Sequence, residues 1–172
     1  MSVNSQVNLQ LQVTHSAAYD LAPAAVKAAI AAVTKSLSWE SGTGANQADL
    51  LFSDTRTLTA SATEDLDLAG VLTDAFGATL TFARIKLIYV CAAAANNVAN
   101  NVNVTRPAAN GVPLFLAAGD GIALAPGQFF LWVGADAIGK AVTAATGDLL
   151  TITNSAGTNS VTYDVIILGS SA

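Results

Sequence analysis

Charge is what this chain has least of. Only 11% of its 172 residues are Asp, Glu, Lys or Arg, against a typical share of about 25%, while 52% are hydrophobic. Much of the outer surface must therefore be Thr, Ser, Asn, Gln, Ala and Gly. A lone soluble protein keeps more interspersed charge, so the composition favours a subunit whose faces are covered in an assembly over an Ala-rich monomer. The net charge is −5, and the seven basic residues Lys27, Lys35, Arg56, Arg84, Lys86, Arg106 and Lys140 form no run. Without a basic cluster or interleaved stacking aromatics, no nucleic-acid partner is expected. The single Cys91 excludes an intrachain disulfide and any multi-Cys metal site. The amino-terminal MSVNSQVNLQLQV has neither a basic n-region nor a continuous apolar h-region and is not read as a signal peptide. No uninterrupted apolar run reaches about 18 residues, so no membrane span is expected.

The usual chemical constellations are missing as well. His15 is the only histidine, with no nucleophile-elbow motif to serve as its partner, and is read as a surface residue. Cys91 ends an apolar strand with no basic cluster to lower its pKa, so it is read as a small buried hydrophobe. The acids Asp54, Glu64, Asp65, Asp67 and Asp74 invite a calcium or glycosidase reading. EDLDLAG lacks the alternation of oxygen ligands through a Gly-enabled loop, and aromatics, at 6%, are too few to line a sugar cleft. They are read as solvated edge charges that deter strand pairing. No Gly-rich phosphate loop opens a helix after a strand. Neither an enzyme, a cofactor nor a metal is expected.

What is present is alternation. Val7, Leu9, Leu11 and Val13 alternate with Asn8, Gln10, Gln12 and Thr14, the pattern of a half-buried strand with one wet face. A strand so near the terminus must be tied into a sheet, its own or a neighbour's. From Leu80 to Cys91 the apolar parity flips once, from Leu80 and Phe82 to Ile85, Leu87, Tyr89 and Cys91. The flip is read as a β-bulge at Ala83-Arg84. Ile88 and Val90 make the other face apolar too, so the far half is read as covered on both sides.

Thr55–Ala60 and Asp65–Leu68 read as a tight pair of short strands, and Gly70 and Gly77 bracket a turn or single helical turn from Leu72 to Phe76. Leu50, Leu51 and Phe52 read as core. Val102 and Val104 mark a strand, Asn110-Gly111 the usual type I′ turn pair, and Pro126-Gly127 a type II turn. That turn leads into Phe129–Val133, which is too continuously apolar to be an edge. ATGDLLTIT and SVTYDVIILG flank a short Gly-containing loop and predict a carboxy-terminal hairpin. Between Asp20 and Lys35, Val26, Ile30 and Val33 recur at helical spacing after Asp20 or Pro23 as a start signal, while Val26, Ala28, Ile30, Ala32 and Thr34 also alternate. The reading taken is a short helix.

About ten short strands separated by Gly and Pro turns predict an all-β fold, a single jelly-roll-like antiparallel β-sandwich over residues 1–172. At most one short helix lies near the amino terminus, and residues 1–36 form a strand or arm.

Three stretches, Ser41–Lys86 with SDTRTL, EDLDLAG and LTDAFGATLTFARIK, Pro126–Trp132, and the ending ATGDLLTITNSAG…VTYDVIILG, resemble small virion-associated structural proteins of tailed bacteriophages. The resemblance covers about three quarters of the chain and departs before Leu37, although it suggests a strand where the helix is read. It implies a particle component with no enzymatic residues, and leaves head and tail locations open. The expected function is a capsid decoration or cement protein on the virion, assembled in the host cytoplasm. Its expected partners are the major capsid protein and copies of itself, as a homo-oligomer with a trimer among the options. Val7, Leu9, Leu11 and Val13 are the candidate assembly contact. The alternative is a receptor- or glycan-binding module on the tail or fibre, which calls for exposed Trp39, Trp132 or Tyr163. A cellular sandwich enzyme would instead need a concave polar site.

Overall fold

Period-two alternation dominates the chain, and the elements it forms are strands. A computed structural model describes residues 3–17 and 26–172, with side chains over 3–13 and 32–172. Among the described residues the regular structure is all β. The thirteen strands are β1 (Ser5–Ala17), β2 (Val26–Trp39), β3 (Leu50–Leu58), β4 (Thr63–Asp67), β5 (Ala69–Thr73), β6 (Thr79–Thr81) and β7 (Arg84–Ala92). They continue as β8 (Val102–Thr105), β9 (Gly121–Leu124), β10 (Phe129–Val133), β11 (Lys140–Ala141), β12 (Leu149–Asn154) and β13 (Val161–Ser170).

Nine of these strands build a sandwich. One sheet runs β10-β7-β13-β3, with β11 also pairing β7, and the other runs β4-β12-β8-β9; their ladders are antiparallel. This order, with the chain passing from sheet to sheet, is that of a jelly roll. Inward-facing Phe52, Ile167, Ile88 and Val90 of the first sheet meet Leu66, Leu150, Ile152 and Val104 of the second in one continuous core. The remaining strands form two antiparallel pairs, the β5–β6 hairpin and the long β1–β2 ribbon.

Several sequence expectations change. The helix read between Asp20 and Lys35 is strand β2 from Val26 onward, and its expected start at Asp20 or Pro23 lies outside the described residues. Pairing with β1 at Leu9↔Lys35 and Leu11↔Val33 offers the segment a ladder partner, and tertiary pairing overrides a helical spacing built largely from Ala. Leu80–Cys91 is not one bulged strand but two. At Phe82–Ala83 the chain leaves the β5–β6 hairpin for the first sheet. The bulge in β7 falls at Lys86, where Leu87 pairs Leu168 but Ile85 pairs Gly169. That extra residue puts Ile85 and Ile88 into the same core. The ladder is so close here that a Cβ on Gly169 would run into the Arg84 carbonyl oxygen.

Two expected pairings are arches across the sandwich instead. β3 pairs β13 while β4 pairs β12, and the supposed carboxy-terminal hairpin is split between sheets, β12 in the second and β13 in the first. Turn residues alone do not separate a hairpin from an arch; what decides is which partner offers the better ladder and core. β10 is an edge strand despite its continuous apolar run. Leu51 faces outward at 40% exposure, whereas Phe52 is core. Asn110 has a φ of 56° but Gly111 is not in the positive region, so the pair is not a type I′ turn. Gly127, with φ 79° and the Gln128 N–H donating to the Ala125 carbonyl at 2.9 Å, completes the expected type II turn. Residues 74–77 form the turn of the β5–β6 hairpin, with Asp74 Oδ1 accepting from the N–H groups of Phe76 and Ala78.

Candidate assembly surface

The two outer faces of the sandwich differ in chemistry. Over the second sheet, pairing aligns Asp65 with Thr151 and Thr105, and Thr63 with Thr153 and Asn103. Thr63 and Thr153 hydroxyls lie 2.9 Å apart, and Thr151 donates to Asp65. That is an ordinary wet face of an antiparallel sheet. Over the first sheet, one row reads Leu51, Leu168, Leu87, Val133 and the next Ser53, Ile166, Tyr89, Leu131. A third reads Thr55, Asp164, Cys91, Phe129. In those three rows Asp164 is the one charged side chain, and it accepts a 2.6 Å hydrogen bond from Thr55.

The β1–β2 ribbon covers one end of this apolar face. Leu87 and Leu168 form a second buried cluster with Trp39 and Ala48, against which Val3, Val7 and Leu37 pack. Beside it a cleft of about 310 Å³ is lined by Val7, Leu51, Leu87, Tyr89, Leu131 and Ile166, among others. Past the cluster the face opens to solvent: Phe129 is 58% and Ile166 36% exposed, while Tyr89 and Leu131, which pack against the cluster, are half-buried. Tyr89 and Phe129 rings stand 5.8 Å apart.

The candidate contact residues divide into two groups. Val7 is half-buried at the base of the ribbon. Leu9, Leu11 and Val13 are 54%, 61% and 45% exposed, and Val33, opposite Leu11, is 64% exposed. Lys35, opposite Leu9, is the cation of this stripe. The other face of the ribbon is polar, with Gln6 donating to Ser36 and Ser36 to Asn8. The amphipathic ribbon, whose register shifts between Leu11 and Val13, thus presents an exposed row of large apolar side chains.

The acids are mostly engaged. Glu64 points into the sandwich edge, where its Oε2 accepts from Arg56 Nε at 2.8 Å and its Oε1 from the Tyr163 hydroxyl at 2.7 Å. Arg56 also pairs with Asp54 at 2.9 Å. Hydrogen bonding to Glu64 holds Arg56 well above the ordinary arginine range, and burial followed by the bond to Glu64 pushes the Tyr163 phenol up. Lys86 is buried and donates to the Asp136 carbonyl oxygen; burial lowers its pKa, with the Asp136 charge pulling it back up. Solvated edge charge therefore does not describe Glu64, whereas Asp54, with its side chain 41% exposed on edge strand β3, is one that pairs with Arg56.

Among the described residues no three His, Cys, Asp or Glu side chains cluster as metal ligands, and no helix is long and apolar enough to cross a membrane. The side chain of His15 lies outside the described residues. Cys91 is half-buried on the outer face rather than in the core. Sequence reasoning missed the uncovered part of that face, although the apolar parity at Tyr89, Phe129 and Leu131 carried the signal. Neither a protein-family model, nor a curated protein, nor a solved structure matches the chain.

Proposed function

We propose that this protein is a structural component of a tailed-bacteriophage virion, a capsid decoration or cement protein. It rests on the major capsid protein, associates with copies of itself and works through contacts rather than chemistry. The observation that carries the reading is the exposed apolar row Leu9, Leu11, Val13 and Val33 on a ribbon that leads away from its base at half-buried Val7 and buried Trp39. Such a row has no use to an isolated chain in water, and exposed contiguous apolar surface marks interaction sites. The uncovered outer face of the first sheet and the low charge of the chain, 11%, point the same way. Jelly rolls occur in capsid and lectin domains alike, so the fold alone does not choose between them. The sequence motifs SDTRTL, EDLDLAG and YDVIILG support the virion side of that choice.

A glycan platform is less well supported. Trp39 and Tyr163 are buried, and Trp132 is half-buried with Lys140 Nζ 5.5 Å from its ring centroid.

Electron microscopy of purified particles tests the proposal. Hundreds of copies at local symmetry axes of the shell support a cement role, while a few copies at a tail or fibre tip overturn it in favour of receptor binding. Deleting residues 1–14 is expected to weaken particle association while the sandwich stays folded. Undiminished particle binding by that truncation would remove the ribbon from the interface.

A further inference from the structure

We propose that the β1–β2 ribbon of one copy docks across the outer face of the β10-β7-β13-β3 sheet of a neighbouring copy. The inference rests on the self-association in the function proposed above and names the two surfaces that meet.

Within one chain the two surfaces already show that they fit. Val7 and Leu37, at the ribbon's base, pack beside Leu87 and Leu168 of the outer face. The same ribbon stripe continues through Leu9, Leu11 and Val13, a span of roughly 20 Å from Val7 at about 3.4 Å per residue. Exposure of Leu9, Leu11 and Val13 means that this part of the stripe has left the sheet that Val7 touches. The sheet face in turn continues past its covered end through Ile166 and Tyr89 to Phe129. Each chain therefore carries an unfilled half of a contact whose filled half it already makes.

Charge favours a second copy as the occupant. Among the described residues the ribbon stripe has one cation, Lys35, beside Leu9, and the three rows of the sheet face have one anion, Asp164, one row beyond Ile166. Both are exposed. A neighbour's ribbon laid on the face can bring Lys35 to Asp164 while Leu9, Leu11 and Val33 cover Ile166, Tyr89 and Phe129. The contact joins two different patches, so it closes either reciprocally in a two-fold dimer or head-to-tail around a ring or along a filament. A closed ring of three is the smallest form that satisfies every ribbon beyond a dimer.

Cys91, the only cysteine of the chain, lies in the Asp164 row and serves as a built-in reporter. Leu9→Cys, Leu11→Cys and Val33→Cys are oxidised one at a time in the purified full chain and resolved on non-reducing gels. At least one is expected to give covalent multimers that disappear on reduction and when Cys91→Ala is added. A disulfide formed within one chain, multimers that persist with Cys91→Ala, or no cross-link from any of the three overturns the proposal.

Charge reversal gives an independent reading by sedimentation equilibrium. Lys35→Glu or Asp164→Lys alone is expected to weaken self-association by about tenfold, and the double variant to recover most of the loss. Unchanged association in both single variants overturns the proposal. A chain that stays monomeric at all concentrations yet binds particles overturns this inference and leaves the proposed function standing. Ribbon-to-sheet cross-links in a protein absent from the capsid shell do the reverse.

Discussion

Tyr163 and Glu64 belong to opposite sheets, and the 2.7 Å hydrogen bond from the phenol to Glu64 Oε1 closes the open edge of the sandwich between them. Arg56, next to Tyr163 in the first sheet, completes the closure by donating to the other Glu64 oxygen at 2.8 Å. An acid read from sequence as a solvated charge is thus a latch between layers. Its value lies in satisfying a buried phenol and a half-buried guanidinium with one carboxylate, because either left unpaired would carry its desolvation cost.

Tyr163→Phe is expected to lower stability by about 1.5–3 kcal/mol, the scale for a hydrogen bond to a charged group. The pH dependence has a definite sign. The folded pKa of Tyr163 is raised above its ordinary 10.0, so the folded state holds the phenol proton more tightly than the unfolded state. Its contribution is complete below pH 10 and is lost as pH rises from there through the raised value. Urea denaturation from pH 8 to 12 should show this alkaline loss in the native protein and a shallower slope in Tyr163→Phe.

Asn154 and Asn100 make a second buried polar tie, at the end of the sandwich where the chain arches from β12 to β13. Asn154 Nδ2 donates to the carbonyls of Asn159 at 2.7 Å and Thr59 at 3.0 Å, and Asn100 Nδ2 donates to the Asn159 carbonyl at 2.9 Å. Asn154→Ala is expected to cost about 2–3 kcal/mol, since it removes the donors from carbonyls in a buried site. Asn154→Asp should cost more, because it places an unpaired charge there. Chemical denaturation midpoints check both, and equal stability of Asn154→Ala and the native protein would contradict the arrangement.

Lys86 occupies the bulge of β7 and holds the 134–139 loop through the Asp136 carbonyl oxygen. Burial lowers its pKa from the ordinary 10.5. A lysine whose folded pKa is lowered makes the charged fold less favourable below that pKa, and the penalty fades as pH rises towards 10.5. Lys86→Met removes both the penalty and the tether. The variant is expected to stay within about 1 kcal/mol of the native protein at neutral pH and to fall behind as pH approaches 10.5. Hydrogen exchange should show faster opening of residues 134–139.

Strand positions were legible in the sequence because alternation survives in a chain so short of charge. Val161, Tyr163, Val165 and Ile167 alternate along SVTYDVIILG and share the inner face, and Val102 and Val104 lie in the core. Strand partners were not legible. The loop between Asn154 and Val161 has the composition of a hairpin turn, yet the chain crosses the sandwich there, a choice made by β3, β7 and β4 offering ladders elsewhere. Lys86 hid the bulge because a basic residue in an apolar strand looks like an exposed position. The candidate contact was legible in part: Val7 to Val13 alternate cleanly, but nothing local separates Val7, which packs on Trp39, from Leu11, which faces solvent. Tyr89 was read as covered because apolar residues on both faces of a strand ordinarily are, and Phe129 as part of an interior strand because its run is continuously apolar.

That division within the ribbon yields the most discriminating substitution pair. Val7 packs against the cluster of Trp39, Leu87 and Leu168, so Val7→Ala removes two methyl groups from a partly buried site and is expected to cost about 1–2 kcal/mol of sandwich stability. Leu11→Ser removes an exposed side chain and should move the denaturation midpoint of the isolated chain by less than about 0.5 kcal/mol equivalent. Association should respond in the opposite order. If the outer ribbon is a contact surface, Leu11→Ser combined with Val33→Ser weakens particle binding by at least about tenfold, the effect of losing roughly 1.4 kcal/mol of apolar contact. Val7→Ala leaves the exposed stripe intact and should bind nearly as well as the native protein wherever it is folded. Equal binding by the Leu11→Ser, Val33→Ser protein would mean that the exposed row is an incidental surface and that contacts lie elsewhere on the jelly roll.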